Sequence, residues 1–277
     1  MTPDEYCQQK AVASGSSFYY SFLFLPPERR RAITALYAFC REVDDVVDEC
    51  SDAQLARTKL AWWRVEIARL FQGEPNHPVT KALQPFVGKF AMKEKQLHEI
   101  IDGMEMDLTQ TRYLDFAGLE RYCYHVAGAV GLLAAGIFGY SNPRTLDYAK
   151  NLGTAFQLTN IIRDVGEDSR KNRIYLPMDE LKKFDVPAND ILQAKDSDNF
   201  RKLMAFQAAR ANEYYRKAFD ALPPEDRKTQ RAGLIMAAIY RATLAEVERD
   251  GFKVLTQRTS LTPLRKLWLA WKTWVGA

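Results

Sequence analysis

Apolar residues in this chain recur every three to four positions over one long stretch after another, and the period-two alternation of β-branched residues that marks half-buried strands is almost absent. Proline and glycine punctuate these stretches. The spacing predicts helices over residues 28–49, 52–72, 77–91, 93–109, 115–139, 141–166, 197–221, 224–252 and 261–275, with an irregular region between Pro177 and Pro187. With 277 residues, 47% of them hydrophobic, the chain can bury a large core. The expectation is an all-α, single-domain helical bundle over residues 1–277, of roughly ten helices.

The net charge is 39 − 35 = +4, too mild to make nucleic acid the expected partner. The four cysteines form no C-x-x-C pair, and none of the three histidines completes a zinc-like spacing. A reducing compartment is therefore expected. The opening MTPDEYCQQK is polar with two acids, unlike a signal peptide. The longest apolar stretch, Val126 to Tyr140, is too short and too glycine-rich for a membrane span. A cytoplasmic location follows as the expectation.

Two segments carry candidate chemistry. In the first, Tyr37, Arg41, Asp44 and Asp48 fall three or four positions apart and share one helical face. Two carboxylates one turn apart repel unless something neutralises them, and Mg²⁺ suits such a pair because it takes one or two carboxylates and bridges to phosphate oxygens. In the second, Asn160, Asp164 and Asp168 step by four, with Gln157 one turn earlier. Oxygen donors without thiolate or imidazole suit a hard cation. Arg163 adjoins them, and Arg170, Lys171, Arg173 and Tyr175 follow where an anion can be held. Each stripe alone also reads as a solvated charged face.

Together the stripes say more. Facing each other across a bundle, they would clamp a diphosphate through several Mg²⁺ ions. Loss of diphosphate from an allylic carbon leaves a carbocation that needs a dry, aromatic pocket. Phe18, Tyr19, Tyr20, Phe22 and Phe24 crowd one segment, and the alanine- and glycine-rich run from Tyr122 offers either close helix packing or room for a long ligand. Met104, Met106, Leu132 and Leu133 read as core, and His125 as a helix histidine with no partner pattern.

These residues resemble the squalene/phytoene synthase family. YCYHVAGAVG (122–131) and LGTAFQLTNIIRDVGEDSRKNRIYLP (152–177) look like its two signatures, and DDVVDE (44–49) like its first acidic motif. The resemblance runs from about residue 14 to 270. It implies an isoprenoid-synthase-type bundle with a central cavity and a head-to-head condensation of two prenyl diphosphates. It also implies two to three Mg²⁺ ions held by Asp44, Asp48, Asn160, Asp164, Asp168 and Asp107. Arg41, Arg163, Arg173, Tyr175, Ser17, Tyr240 and Arg258 would contact diphosphate. Tyr37, Tyr122 and Gln157 would line the reaction centre, and Phe18, Val126 and Gly131 the prenyl pocket.

Several relatives carry a basic residue just before the Ser-Phe pair, often with a histidine two positions earlier, whereas this chain reads SGSSF with Ser14, Ser16 and Ser17. The run SGSSFYYSFLFLPPERRRAI resembles bacterial presqualene diphosphate synthases of the hopanoid pathway, which implies two farnesyl diphosphates as substrates, no NADPH, and a downstream squalene-forming enzyme as partner. Phytoene, dehydrosqualene or complete squalene synthesis are alternatives of the same fold. A non-catalytic helical assembly factor should have lost acids from the stripes, and both stripes are complete. The tail PLRKLWLAWKTWVGA mixes three tryptophans with basic residues, so 261–275 reads either as a helix at a membrane surface or as one packed on the core.

Overall fold

Two long helices carry the acidic stripes, and the way they are buried decides the architecture. The computed structural model describes residues 1–13, 18–50 and 52–276, without the side chains of Tyr19 and Tyr20. Ser17, expected to contact diphosphate, lies outside the described residues, as do Ser14 and Ser16 of the same stretch. The helices in chain order are α1 (Pro3–Ala13), α2 (Phe18–Phe22), α3 (Pro27–Asp48), α4 (Ala53–Gln72), α5 (Pro78–Val87), α6 (Glu94–Thr109), α7 (Phe116–Cys123), α8 (Ala129–Phe138), α9 (Arg144–Arg170), α10 (Met178–Lys183), α11 (Ala188–Leu192), α12 (Asp198–Ala221), α13 (Arg231–Arg249) and α14 (Pro263–Gly276). Among the described residues there is no strand, only an isolated bridge between Arg112 and Ile174. The all-α expectation holds.

Pro27 opens α3 at a position where its missing N–H costs nothing. One face of α3 buries Ala32, Leu36, Phe39, Val43 and Val47, leaving Arg41, Asp44 and Asp48 on another. Fifteen of the 27 residues of α9 are buried, which makes it the central helix, packed against α8, α12 and α13. A Cβ on Gly131 would lie 2.5 Å from the Ala149 carbonyl oxygen, and one on Gly153 would lie 2.4 Å from that of Ala127. Glycine at these two positions lets α9 touch α8 and the residues just before it backbone to backbone. Two apolar cores flank the α8–α9 seam, one built on α3 to α6 and the other on α9, α12 and α13, and Phe18 and Val126 pack against both.

The single helix expected over 115–139 is interrupted. Between α7 and α8 the backbone makes a π-turn at Tyr124–Gly128. Such turns insert one extra residue, which a 3.6-residue pattern does not register. The stretch expected as 224–252 divides into a 3₁₀ turn at Pro224–Asp226 and α13. Helices α1, α2, α10 and α11 were not expected. They are short or mostly polar, with Cys7 and Ala11 the buried residues of α1.

The tail packs on the core along one face and leaves another exposed. Helix α14 docks through Ala270 and Leu269 against Ile235 and Ile239. Leu264, Leu267, Trp268, Trp271, Trp274 and Val275 remain exposed. Phe24 stacks on Trp274 at 5.6 Å, extending this apolar face toward α2. No helix among the described residues is long and apolar enough to cross a membrane.

The start of α9 is tied to the α12–α13 link by Asp226. Its buried carboxylate accepts the Ser141 and Asn142 backbone N–H groups and the Ser141 and Thr145 hydroxyls, at 2.6–3.0 Å. Burial works to raise its pKa, but these bonds, led by Thr145 and Ser141, outweigh it and hold the carboxyl down to about 2. Asp226→Ala would strand those donors and cost about 1–3 kcal/mol in urea unfolding at neutral pH. A carboxyl with a lowered folded-state pKa stabilises fully above its unfolded value, about 4. The difference between Asp226→Ala and wild type should therefore shrink as the pH falls from about 4 toward 2.

Candidate functional site

Helices α3 and α9 both line one cavity, of about 240 Å³, with residues from their stripes; of the acids only Asp44 is in its lining. Arg41 and Asp44 enter it from α3, and Gln157 and Asn160 from α9. The loop after α9 reaches back across the mouth. Arg173 Nη1 lies 3.3 Å and Lys171 Nζ 3.2 Å from the Asp48 carboxylate. One end of each stripe thus reaches the same cavity, and the basic turn after α9 reaches Asp48.

Each row of acids is met by cations. Arg41 forks between Asp44 and Asp45. Arg163 pairs with its neighbour Asp164, and Arg258 Nε reaches Asp164 Oδ1 at 2.9 Å. Gly166 makes that reach possible. The chain around Val254 and Leu255 lies flat on α9 there, with the Gly166 N–H donating to the Val254 carbonyl at 3.1 Å, and a Cβ on Gly166 would sit 2.3 Å from the Leu255 oxygen. Among the described residues Asp168 makes no ion pair, and the buried Oδ1 of Asn160 has no hydrogen-bond partner.

The electrostatics record crowding of like charge. Burial, reinforced by Asp48 and Asp45 and opposed by Arg41, pushes the Asp44 carboxyl up to about 6. Burial and the adjacent Asp164 push Asp168 up to about 7. Asp164, though buried, is held below the usual carboxylate range by Arg163 and Arg258.

Asp107 sits behind this rim. Its two oxygens accept the Tyr175 hydroxyl at 2.8 Å and the Tyr122 hydroxyl at 2.9 Å. The two rings stack at 5.2 Å, with Tyr113 beside both. Burial and the nearby carboxylate push both phenols well above their ordinary value. Asp107 was expected among the metal ligands; in this arrangement both of its oxygens position tyrosines.

Below the rim the cavity is apolar. Phe18, Tyr37, Val126 and Gly131 line it as expected, with Tyr122 at its mouth. Tyr240 packs against Phe156 at 4.6 Å and Phe18 at 6.0 Å. Burial raises the Tyr240 hydroxyl against the pull of Arg163. Sequence reasoning missed Phe156 and assigned Met104 to the core, yet both line the cavity. It also missed Lys266 on α14, whose ammonium is lowered by burial and by the charges of Arg163 and Arg258. His125 bonds the Glu99 carbonyl oxygen at 3.1 Å and is structural.

A divalent metal fits this donor set. No three acidic, histidine or cysteine side chains form a closed metal cage among the described residues. Instead there are two rows of hard oxygen donors, with an orphaned amide oxygen at Asn160. Mg²⁺ is usually held in this way, by a few carboxylates completed by substrate phosphate and water.

Comparison with known proteins agrees with the site. The sequence profile of the squalene/phytoene synthase family matches residues 11–265. A phytoene synthase of Arthrospira platensis is 36% identical over 95% of this chain and 89% of its own length. The crystal structure of a dehydrosqualene synthase in complex with ligand superposes with a TM-score of 0.86 at 28% identity, covering 98% of this chain and 95% of the other. That of the squalene synthase HpnC from Alicyclobacillus acidocaldarius gives 0.79 at 27% identity, covering 90% and 94%. The helical fold is that of these synthases.

Asp44→Asn and Asp164→Asn should each weaken Mg²⁺-dependent binding of inorganic diphosphate at least about tenfold, read by titration calorimetry, while far-ultraviolet circular dichroism stays unchanged. Undiminished binding in both variants would show that these acids do not hold the metal.

Proposed function

Because the chain belongs to the squalene/phytoene synthase family, we propose that it joins two prenyl diphosphates head to head, and that it does so as a phytoene synthase acting on two molecules of geranylgeranyl diphosphate. The observation that carries the condensation is an aromatic cavity that Arg41 and Asp44 enter from α3, and that Gln157 and Asn160, with its unpartnered oxygen, enter from α9. The choice of substrate rests on the Arthrospira relative, named phytoene synthase and 36% identical, against 27–28% for the squalene and dehydrosqualene synthases. It replaces the farnesyl expectation, which leaned on the SGSSF stretch. With phytoene as product, the squalene-forming partner falls away.

Asp44, Asp48, Asn160, Asp164 and Asp168 would hold Mg²⁺, which when bound stabilises the charge that develops on diphosphate oxygens. Arg41, Arg163, Arg173 and Arg258 exchange their carboxylate partners for diphosphate oxygens, and Lys266 adds a further charge from α14. Phe18, Tyr37, Phe156 and Tyr240 surround the allylic carbons with ring faces and exclude water. Tyr122, whose hydroxyl already donates to Asp107, acts as a fixed donor rather than a base. The released diphosphate then takes the proton whose loss closes the cyclopropane. A second ionisation and rearrangement end in loss of another proton, so phytoene forms without a reductant.

The test is incubation of the purified protein with Mg²⁺ and either geranylgeranyl or farnesyl diphosphate, without NADPH, with products identified by mass spectrometry. Phytoene from the longer substrate is expected. Presqualene diphosphate from the shorter one alone would restore the farnesyl reading, and no product from either would refute catalysis.

We also propose that α14 rests on an anionic lipid surface, where a product as greasy as phytoene gathers. The helix carries Arg265, Lys266 and Lys272 and no acid, and its exposed tryptophans and leucines continue into Phe24. The protein should co-sediment with vesicles rich in anionic lipid, and the Trp268→Gln/Trp271→Gln double variant should remain largely in the supernatant. Equal sedimentation of both proteins would rule this face out.

A further inference from the structure

The depth of the cavity has a definite stop. From Asn160 at the mouth the cavity follows α9 to Tyr148, 160 − 148 = 12 residues or about 18 Å along the axis. Phe138, Tyr148, Gln230 and Gly233 line its far end. Gln230 is tied there, its Nε2 donating to the carbonyl oxygens of Gly139 at 2.9 Å and Ala135 at 3.3 Å. Tyr148 is different. It is 1% exposed, and its hydroxyl has no hydrogen-bond partner. The phenol lies over Gly233, where a Cβ would come within 2.6 Å of its oxygen.

From this geometry we infer that the Tyr148 phenol, seated over Gly233, is the stop that sets the length of prenyl chain the cavity accepts. The inference rests on the prenyl diphosphate reading above and adds the residue pair that selects among such substrates. A buried hydroxyl without a partner contributes no bond to the fold. The ring is held by packing alone, so it can be shortened or displaced without breaking a hydrogen bond. An extended isoprene unit spans roughly one helical turn, about 5 Å, which is similar to the reach of a phenol. Removing the ring should therefore admit about one more unit. Adding a methyl at position 233 would drive the ring into the cavity and shorten it.

The test measures binding of unreactive thiolo analogues of farnesyl, geranylgeranyl and geranylfarnesyl diphosphate, with Mg²⁺, to wild type and three variants. Tyr148→Phe should leave the order of affinities unchanged, because the hydroxyl makes no bond. Tyr148→Ala should shift the ratio of geranylfarnesyl to geranylgeranyl affinity upward by at least about tenfold. Gly233→Ala should shift preference toward the farnesyl analogue, and it keeps the inference testable if Tyr148→Ala does not fold. Unchanged ratios in folded Tyr148→Ala or Gly233→Ala overturn the inference. Failure of every analogue to bind wild type would overturn the prenyl reading and this inference with it, whereas binding with unchanged ratios overturns this inference alone.

Discussion

Buried carboxylates that sit close together repel, and the mouth of this cavity is organised around that repulsion. Asp44 and Asp48 stand on α3 and Asp164 and Asp168 on α9, with Asp107 near enough to raise both Asp44 and Asp168. Arginine or lysine holds Asp44, Asp48 and Asp164, while burial and like charge push Asp44 and Asp168 upward. Such an arrangement is uncomfortable for a protein alone. It becomes favourable when divalent cations enter with an anion that can occupy the arginines, since each cation then meets oxygen and each guanidinium meets phosphate. The same groups that relieve the resting site become the substrate's binding groups.

Holding two charged helices at this separation falls to the packing below. The backbone contacts of α9 with α8 at Gly131 and with the π-turn at Gly153 fix the central helix in register, and Asp226 pins its first turn. The loop laid over Gly166 brings Arg258 to Asp164. Each is a close approach that a larger side chain or a lost acceptor would open. The acid geometry is therefore a consequence of core contacts many residues away.

The sequence carried both stripes openly, because a four-residue step is visible in one dimension and a helix turns it directly into a shared face. Tyr37, Gln157, Val126 and Gly131 were legible for the same reason. What periodicity does not encode is contact between distant segments. Lys266 reaches the mouth only because α14 folds back over α13, and Met104 lines the cavity only because α6 faces the seam rather than a closed core. The π-turn at Tyr124–Gly128 adds a residue that helical counting absorbs without trace. Asp107 was found by resemblance, but its pairing with Tyr122 and Tyr175 joins positions 15 and 68 residues apart and could be seen only in three dimensions.

The same limit bears on substrate length, which the sequence reading took from the SGSSF stretch. The SGSSF stretch ends at Phe18, which lines the cavity beside Tyr37, and its serines lie outside the described residues. A prenyl chain is measured at its other end, about 18 Å away along α9, by whatever closes the cavity. That closure is built from α8, α9 and α13, where a phenol from one helix rests over a glycine of another. A single residue identity says little about it, because the depth depends on how Tyr148 and Gly233 fit each other. On the proposed reading, chemistry at the mouth and selection at the floor are thus separable: the acids would hold the diphosphates, and the floor would set the length of chain on which the reaction occurs.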